Sequence, residues 1–309
     1  MATTTSITTT YAGESAGKYI SAALLAGNTI ANGGLTVRPN VKFKEVVKRL
    51  ELDGIVKDGS CDFTDTSTLT LTERILEPKE LQVNLELCKK DFRSDWDAIQ
   101  MGYSAFDTLP SSFQDYLIGY VAGKVAQKNE QNLWVGAAGA GSFDGFSTLL
   151  AADADLPAAN EVTGTAITAA NVVAEMGKVV DAIPSALYGR EDLHIYVAQN
   201  VFRAYKRALG VAGYVDKFNN QDINIQYIDG VKIFMANGLA SDTMVATTKD
   251  NLWFGTGLTS DSQEVKLLDM ADLDGSQNVR VIMRFTAGVQ YGIIEDIVTY
   301  GIPNAANPA

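Results

Sequence analysis

Residues 1–90 supply almost nothing around which they could fold, and that shortage constrains the whole chain. Met1 to Thr10 is a Thr-rich polar string, and the only apolar run before Gly33 is the short Tyr19 to Leu25. Asn32, Gly33, Gly34 and Pro39 close the stretch with residues that favour open turns. Residues 1–33 therefore read as an extended arm without a core of its own. From 40 to 52, Lys42, Lys44, Lys48 and Arg49 are mixed with Val41, Phe43, Val46, Val47 and Leu50, too irregularly to separate strand from helix. An acidic, turn-rich stretch follows, holding Asp53, Gly54, Asp58, Gly59, Asp62 and Asp65. Period-two alternation then becomes clear in Leu69, Leu71, Leu81, Val83, Leu85 and Leu87 around Pro78. This stretch reads as a long β-hairpin with polar tips. Because an isolated hairpin is marginal in water, arm and hairpin both call for a surface outside their own sequence neighbourhood.

Past Pro110 the chain changes character. Ser112 and Asp115 form a capping pattern, and Phe113, Leu117, Tyr120 and Val121 repeat at helical spacing toward Trp134, giving a helix over about 111–134. The glycines from Gly136 to Gly145 end it. A second helix spans Ala169 to Ile183, with Val172, Val173, Met176, Val179, Val180 and Ile183 on one face and Pro184 as the stop. Leu193 to Ala198 reads as a buried strand, and Asn200 as the cap of a third helix reaching Leu209. Ile223, Ile225 and Tyr227 alternate into Asp229-Gly230, a turn pair tolerant of positive φ, from which Val231 and Ile233 continue. Val279, Val281, Met283, Phe285, Val289, Tyr291 and Ile293 extend the strand pattern, and Pro303 to Ala309 form a loose tail. The class is α+β.

Candidate chemistry is thin. Gly13-Glu14-Ser15-Ala16-Gly17 matches a hydrolase nucleophile elbow in letters, but no strand precedes Ser15 to drive the strained turn. The sole histidine, His194, would have to serve as base from within an apolar strand. Gly119 to Lys124 lacks phosphate-loop spacing, and Asp144 stands where a dinucleotide fingerprint needs its last glycine. Asp269, Asp272 and Asp274 lack the order of a calcium loop, and one histidine with two distant cysteines, Cys61 and Cys88, makes no zinc site. No catalytic residue, cofactor or metal is assigned, and the cysteines are expected to stay unbridged. A formal charge of −12 argues against a dedicated nucleic-acid binder, and no apolar run is long enough for a membrane helix.

The succession of arm, long hairpin, long helix, α/β segment and returning strands resembles the tailed-phage coat fold named after phage Hong Kong ninety-seven. The likeness is carried by Glu130, Leu133, Trp134 and Gly136 running into Phe143, Asp144, Gly145, Phe146 and Leu149, similar to the junction where that family's spine helix meets the first strand of its peripheral domain. The Ile183-Pro184 helix end, the stretch from His194 to Leu209, the Ile228-Asp229-Gly230-Val231 hairpin, and Arg280, Arg284, Gly288 and Val289 in the last strands add to it. The resemblance implies an arm (1–33), an extended loop lying over an adjacent subunit (34–90), a peripheral domain (91–164 and 266–309) and an axial domain at the capsomer centre (165–265). It implies a major capsid subunit, made in the host cytoplasm, that tiles a virion shell as hexamers and pentamers around double-stranded DNA. The further partners implied are a portal and separate scaffolding or decoration proteins, with no membrane and no propeptide cleavage. Lys42, Lys44, Lys48, Arg49, Glu130 and Asp144 are the expected intersubunit contacts. Two other readings stay open: an encapsulin-type compartment shell, against which the long Thr-rich arm speaks, and a serine hydrolase using Ser15 and His194.

Overall fold

The computed structural model describes residues 28–52, 56, 58, 59, 69–88, 111–213, 226–257 and 265–304. In chain order its elements are α1 (Asn28–Ala31), β1 (Thr36–Arg38), β2 (Glu45–Leu52), β3 (Leu69–Leu76), β4 (Lys79–Cys88), α2 (Ser111–Val135), α3 (Phe146–Ala152), β5 (Glu161–Val162), α4 (Val172–Asp181), β6 (Leu193–Val197), α5 (Gln199–Val211), β7 (Gln226–Ile228), β8 (Val231–Met235), β9 (Met244–Thr248), β10 (Leu252–Thr256), β11 (Val265–Asp269), α6 (Ala271–Asp274), β12 (Asn278–Tyr291) and β13 (Val298–Tyr300).

β6 organises a six-stranded mixed sheet of order β5-β13-β9-β6-β8-β7. Every residue of β6 is buried, as expected of a strand covered on both faces. α4 packs Val172, Met176, Val179 and Val180 inward, and α5 contributes Val201, Phe202, Ala204 and Tyr205. The turn joining β7 to β8 has positive φ at both central residues, 47° at Asp229 and 82° at Gly230, so the twist of the two strands is carried through a two-residue connection. Asn200 is not a cap: α5 begins at Gln199, and the Asn200 amide donates instead to the Asp242 carboxylate at 2.7 Å.

The other large sheet is built on β12, fourteen residues long. Val279, Val281, Met283 and Phe285 face the core while Arg280 and Arg284 face outward, the period-two alternation of a half-buried strand. β10 and β11 pair with it antiparallel, β1 lies parallel to β10, and β4 runs antiparallel to β12 from Cys88↔Asn278 to Lys79↔Ala287. The alternation on the two sides of Pro78 thus belongs to different sheets. β3 pairs with β2 in a hairpin, while β4 leaves it for a partner some two hundred positions away.

α2 buries Ile118, Val121, Ala122, Val125, Ala126 and Leu133 at helical spacing and, in its last turn, Trp134, which is wholly buried against the rings of Phe146 and Tyr196. Its exit is tight. Gly145 donates its N–H to the Gly136 carbonyl at 2.9 Å, and a Cβ on Gly136 would stand 2.3 Å from the Phe143 carbonyl oxygen. The strand expected near Phe143 is absent: an isolated bridge joins Gly139 to Ser142, and the chain turns directly into α3. At the C-terminal end, Asn304 is buried and tied to Glu161 and Asp153. One continuous apolar cluster runs from Ile30 through α2 into both large sheets.

Candidate assembly interface

The β2–β3 hairpin has two unlike faces. In an antiparallel pair, residues directly opposite share a face, so the register Val46↔Ile75 and Lys48↔Glu73 defines one side and Val47↔Arg74 and Arg49↔Thr72 the other. The second side meets the body of the protein. Arg49 binds Glu295 at 2.6 Å, Arg74 binds Asp153 at 2.6 Å, and the Arg74 guanidinium lies over the Tyr291 ring. Asp153 also accepts the Tyr291 hydroxyl at 2.6 Å. Burial pushes the Asp153 carboxyl up, but the hydrogen bonds from Tyr291 and the Asp155 amide, with the Arg74 charge, outweigh it and hold it below the usual aspartate value.

The first side faces solvent. Val46 and Ile75 are exposed, Leu71 keeps 64% of its surface, and Phe43, just before β2, keeps 71%. Scattered exposed apolar residues are ordinary, but apolar side chains gathered on one face of a hairpin are suited to a protein surface. This patch is anchored from behind by two arginine–carboxylate pairs, so it is presented in a defined orientation.

The root of the arm is held with equal definition. Glu130, 5% exposed within this single chain, accepts the Thr29 hydroxyl at 2.5 Å and the Thr29 amide at 3.2 Å. Trp134 Nε1 donates to Thr29 Oγ1 at 2.9 Å, and the Tyr196 hydroxyl donates to the Gly34 carbonyl. A side chain at Gly34 would collide with the Phe234 ring. Burial raises the Glu130 carboxyl above the usual glutamate value, while the hydrogen bonds from Thr29, Gly238 and Trp134 pull against it.

Comparison with solved structures gives full-length matches. The capsid of the native GTA particle superposes with a TM-score of 0.57 at 14% identity, over 97% of this chain and 94% of that one. The capsid of Myoviridae phage XM1 gives 0.55 at 12%, over 89% and 91%, and that of cyanophage P-SCSP1u 0.52 at 12%, over 88% and 87%. This chain has the tailed-phage capsid fold. No family model and no curated protein matches the sequence, so the fold carries the relationship.

Within the capsid fold, the expected contact residues divide. Lys42 and Lys48 are exposed, with no ion-pair partner among the described residues. Lys44 and Arg49 are already paired inside the chain, with Glu77 and Glu295. Glu130 is buried under the arm's root, and Asp144 accepts the Ala138 amide at 2.7 Å within the loop after α2. Each of these four thus makes a contact within its own chain. Sequence reading passed over Thr29, Arg74 and Asp153, and marked Trp134 only as the end of its helix and as part of the family resemblance. Nothing in local periodicity marks their contacts, because each acts on a residue at least seventy-nine positions away in sequence.

His194 sits in the capsid fold as a core residue of β6. Its Nδ1–H donates to the Asp192 carbonyl at 2.7 Å, and burial pushes its pKa down. Ser15 lies outside the described residues. Asp269 and Asp274 accept the backbone amides of Ala271 and Ser276, forming turns at the ends of α6. Among the described residues, no group of three or more His, Cys, Asp or Glu stands together as a metal site, and no helix is long and apolar enough to cross a membrane. A cleft of about 430 Å³ between Glu161–Gly164 and Gly301–Asn304 holds one carboxylate, Glu161, which is bonded to the Asn304 amide.

Proposed function

We propose that this chain is a non-enzymatic shell subunit, the major capsid protein of a tailed phage, assembling as hexamers and pentamers into an icosahedral shell around double-stranded DNA. The observation that carries this reading is the solvent-facing side of the β2–β3 hairpin, where Val46, Leu71 and Ile75 stay exposed around the Lys48↔Glu73 pair, braced from behind by Arg49–Glu295 and Arg74–Asp153. A surface so presented suits an adjacent subunit of the same kind, with Lys48 within the face and the exposed Lys42 ahead of β2 to meet acidic groups of a chain whose formal charge is −12. Residues 165–265 would lie toward the capsomer centre, with 91–164 and 266–309 at its periphery. A portal, and a separate scaffolding or decoration protein, complete the expected set of partners. The acidic balance is consistent with an inner face that encloses DNA without gripping a sequence.

Many such contacts, each modest, add up because every subunit makes them with several neighbours. Electron microscopy and sedimentation velocity of the purified chain test the proposal. Closed shells or rings of five and six are expected, whereas a protein that stays monomeric at high concentration, with and without co-expressed scaffolding protein, would overturn it.

A further inference from the structure

β4 is a ten-residue strand. It pairs with β12 and, among the described residues, with nothing on its other side. A bare edge of that length is a template for another strand, which proteins ordinarily blunt with proline, lysine, a bulge or a covering element. β4 has no proline, and its one lysine, Lys79, is turned away to the carbonyls of Gly139 and Ser142. Of the other outer strands, β2 and β3, which lie on the hairpin that β4 leaves, have eight residues each and β11 has five; the rest are shorter. β5 has two residues, β1 and β7 have three each, and the outward carbonyl of Tyr227 in β7 is stopped by the Tyr205 hydroxyl at 2.9 Å.

The hydrogen-bond pattern tells which groups of β4 are free. The Thr256 carbonyl accepts the Val41 amide at 3.0 Å on the far side of β10, so the Thr256↔Ala287 pair is not bonded across and Ala287 turns its peptide groups toward β4. Ala287 therefore bonds Lys79, and alternate pairs down to Val279↔Leu87 do the same. That leaves the N–H and C=O groups of Glu80, Gln82, Asn84 and Glu86 pointing away from the sheet.

We propose that this edge receives the arm of a second copy of the chain, added as a further β-strand. Thr3 to Thr10 reads Thr-Thr-Thr-Ser-Ile-Thr-Thr-Thr, the chain's densest β-branched run, and no charged residue precedes Glu14. An uncharged strand can lie beside Glu80 and Glu86 without like-charge repulsion. The arm's root is fixed at Thr29 by Glu130 and Trp134. From there the preceding residues could span up to about 90 Å if extended, whereas a folded chain of this length has a radius of gyration of about 20 Å, so the segment is long enough to reach a second copy. Main-chain bonding supplies affinity in such strand addition with little demand on sequence. The proposal rests on the shell reading and names the surface that reading leaves undefined.

Hydrogen–deuterium exchange on the full chain tests it. The amides of Gln82, Asn84 and Glu86 should exchange freely in unassembled subunits and slow by about tenfold or more in shells, as paired strand amides do. Protection already present in single subunits, absent in shells, or retained in shells after deletion of Ala2 to Gly13 would each overturn the proposal while leaving the shell reading intact. Gln82→Pro removes one outward N–H and no bond to β12, so it should melt near wild type and lose shells. Gln82→Ala should form them normally, and equal shell yield from both would count against the edge. Should the unaltered chain form no shells at all, the shell reading fails. A peptide of residues 2–13 added to the deleted chain then decides the edge alone, by protecting those amides or leaving them free.

Discussion

Glu130 accepts the Thr29 hydroxyl at 2.5 Å across 101 residues of sequence, so the end of α2 and the root of the arm are one structural unit. Replacing Glu130 with Ala would strand the Thr29 amide and hydroxyl together. An orphaned buried donor costs about 1–3 kcal/mol, so a loss of about 3 kcal/mol is expected, measurable as a lower denaturant midpoint.

The same carboxyl makes stability depend on pH. Burial raises its folded-state pKa above the ordinary 4.5. A raised value means that the group's contribution is whole below 4.5 and lost as pH climbs through the folded-state pKa. Glu130→Gln cannot titrate, so its melting temperature should gain on wild type from acid to neutral pH. A constant difference would show that Glu130 does not titrate differently on folding.

Arg74 is expected to set the lie of the hairpin. Its guanidinium holds Asp153 at 2.6 Å and covers Tyr291. Arg74→Met should lower stability by about 1–2 kcal/mol, the pair being partly exposed. The Asp153 carboxyl is held below its usual value, so its contribution is present above that value and lost as pH falls through the folded-state pKa. The acid limb of the melting curve should therefore flatten in the variant, read by thermal unfolding across the acid range.

Several of these features were readable from the sequence because they are local. The Asp229-Gly230 turn needs two residues tolerant of positive φ, and both adopt it. The helix running to Trp134 stops where glycines permit an approach no side chain would allow. Period two around Pro78 named the core-facing residues of β4, buried Leu81 and half-buried Val83, Leu85 and Leu87, but alternation reports a face and not a partner. It could not say that β3 would pair with β2 and β4 with β12. The site divides in the same way. Lys42 and Lys48 were picked out by composition. The anchoring of Arg49 by Glu295, and of Thr29 by Glu130, depends on contacts that only the folded chain brings together.

The apolar side of the hairpin separates folding from assembly. Leu71 and Val46 are exposed in the subunit, so Leu71→Asp or Val46→Lys should change its unfolding free energy by no more than about 0.5 kcal/mol. In a buried contact the same charges would be unpaired, and closed shells should disappear from sedimentation profiles. Normal shells from both variants would move the interface off this face.

Two glycines give opposite expectations for one added methyl group. A Cβ on Gly238 would stand 2.0 Å from the Glu130 carbonyl oxygen and 2.8 Å from Trp134 Cδ1, with backbone on one side and a buried ring on the other. Neither can retreat, since Trp134 is packed against Phe146 and Tyr196 and Glu130 holds Thr29. Gly238→Ala should therefore cost about 3 kcal/mol and loosen the arm's root, seen as faster amide exchange at Thr29. Gly123, on the exposed side of α2, has no atom within 4 Å of its Cβ position. Gly123→Ala should raise subunit stability by about 1 kcal/mol, the difference in helix propensity. If that more stable subunit nevertheless assembles poorly, the open groove at Gly123 is where a neighbouring backbone comes close, and the glycine is kept for the shell and not for the fold.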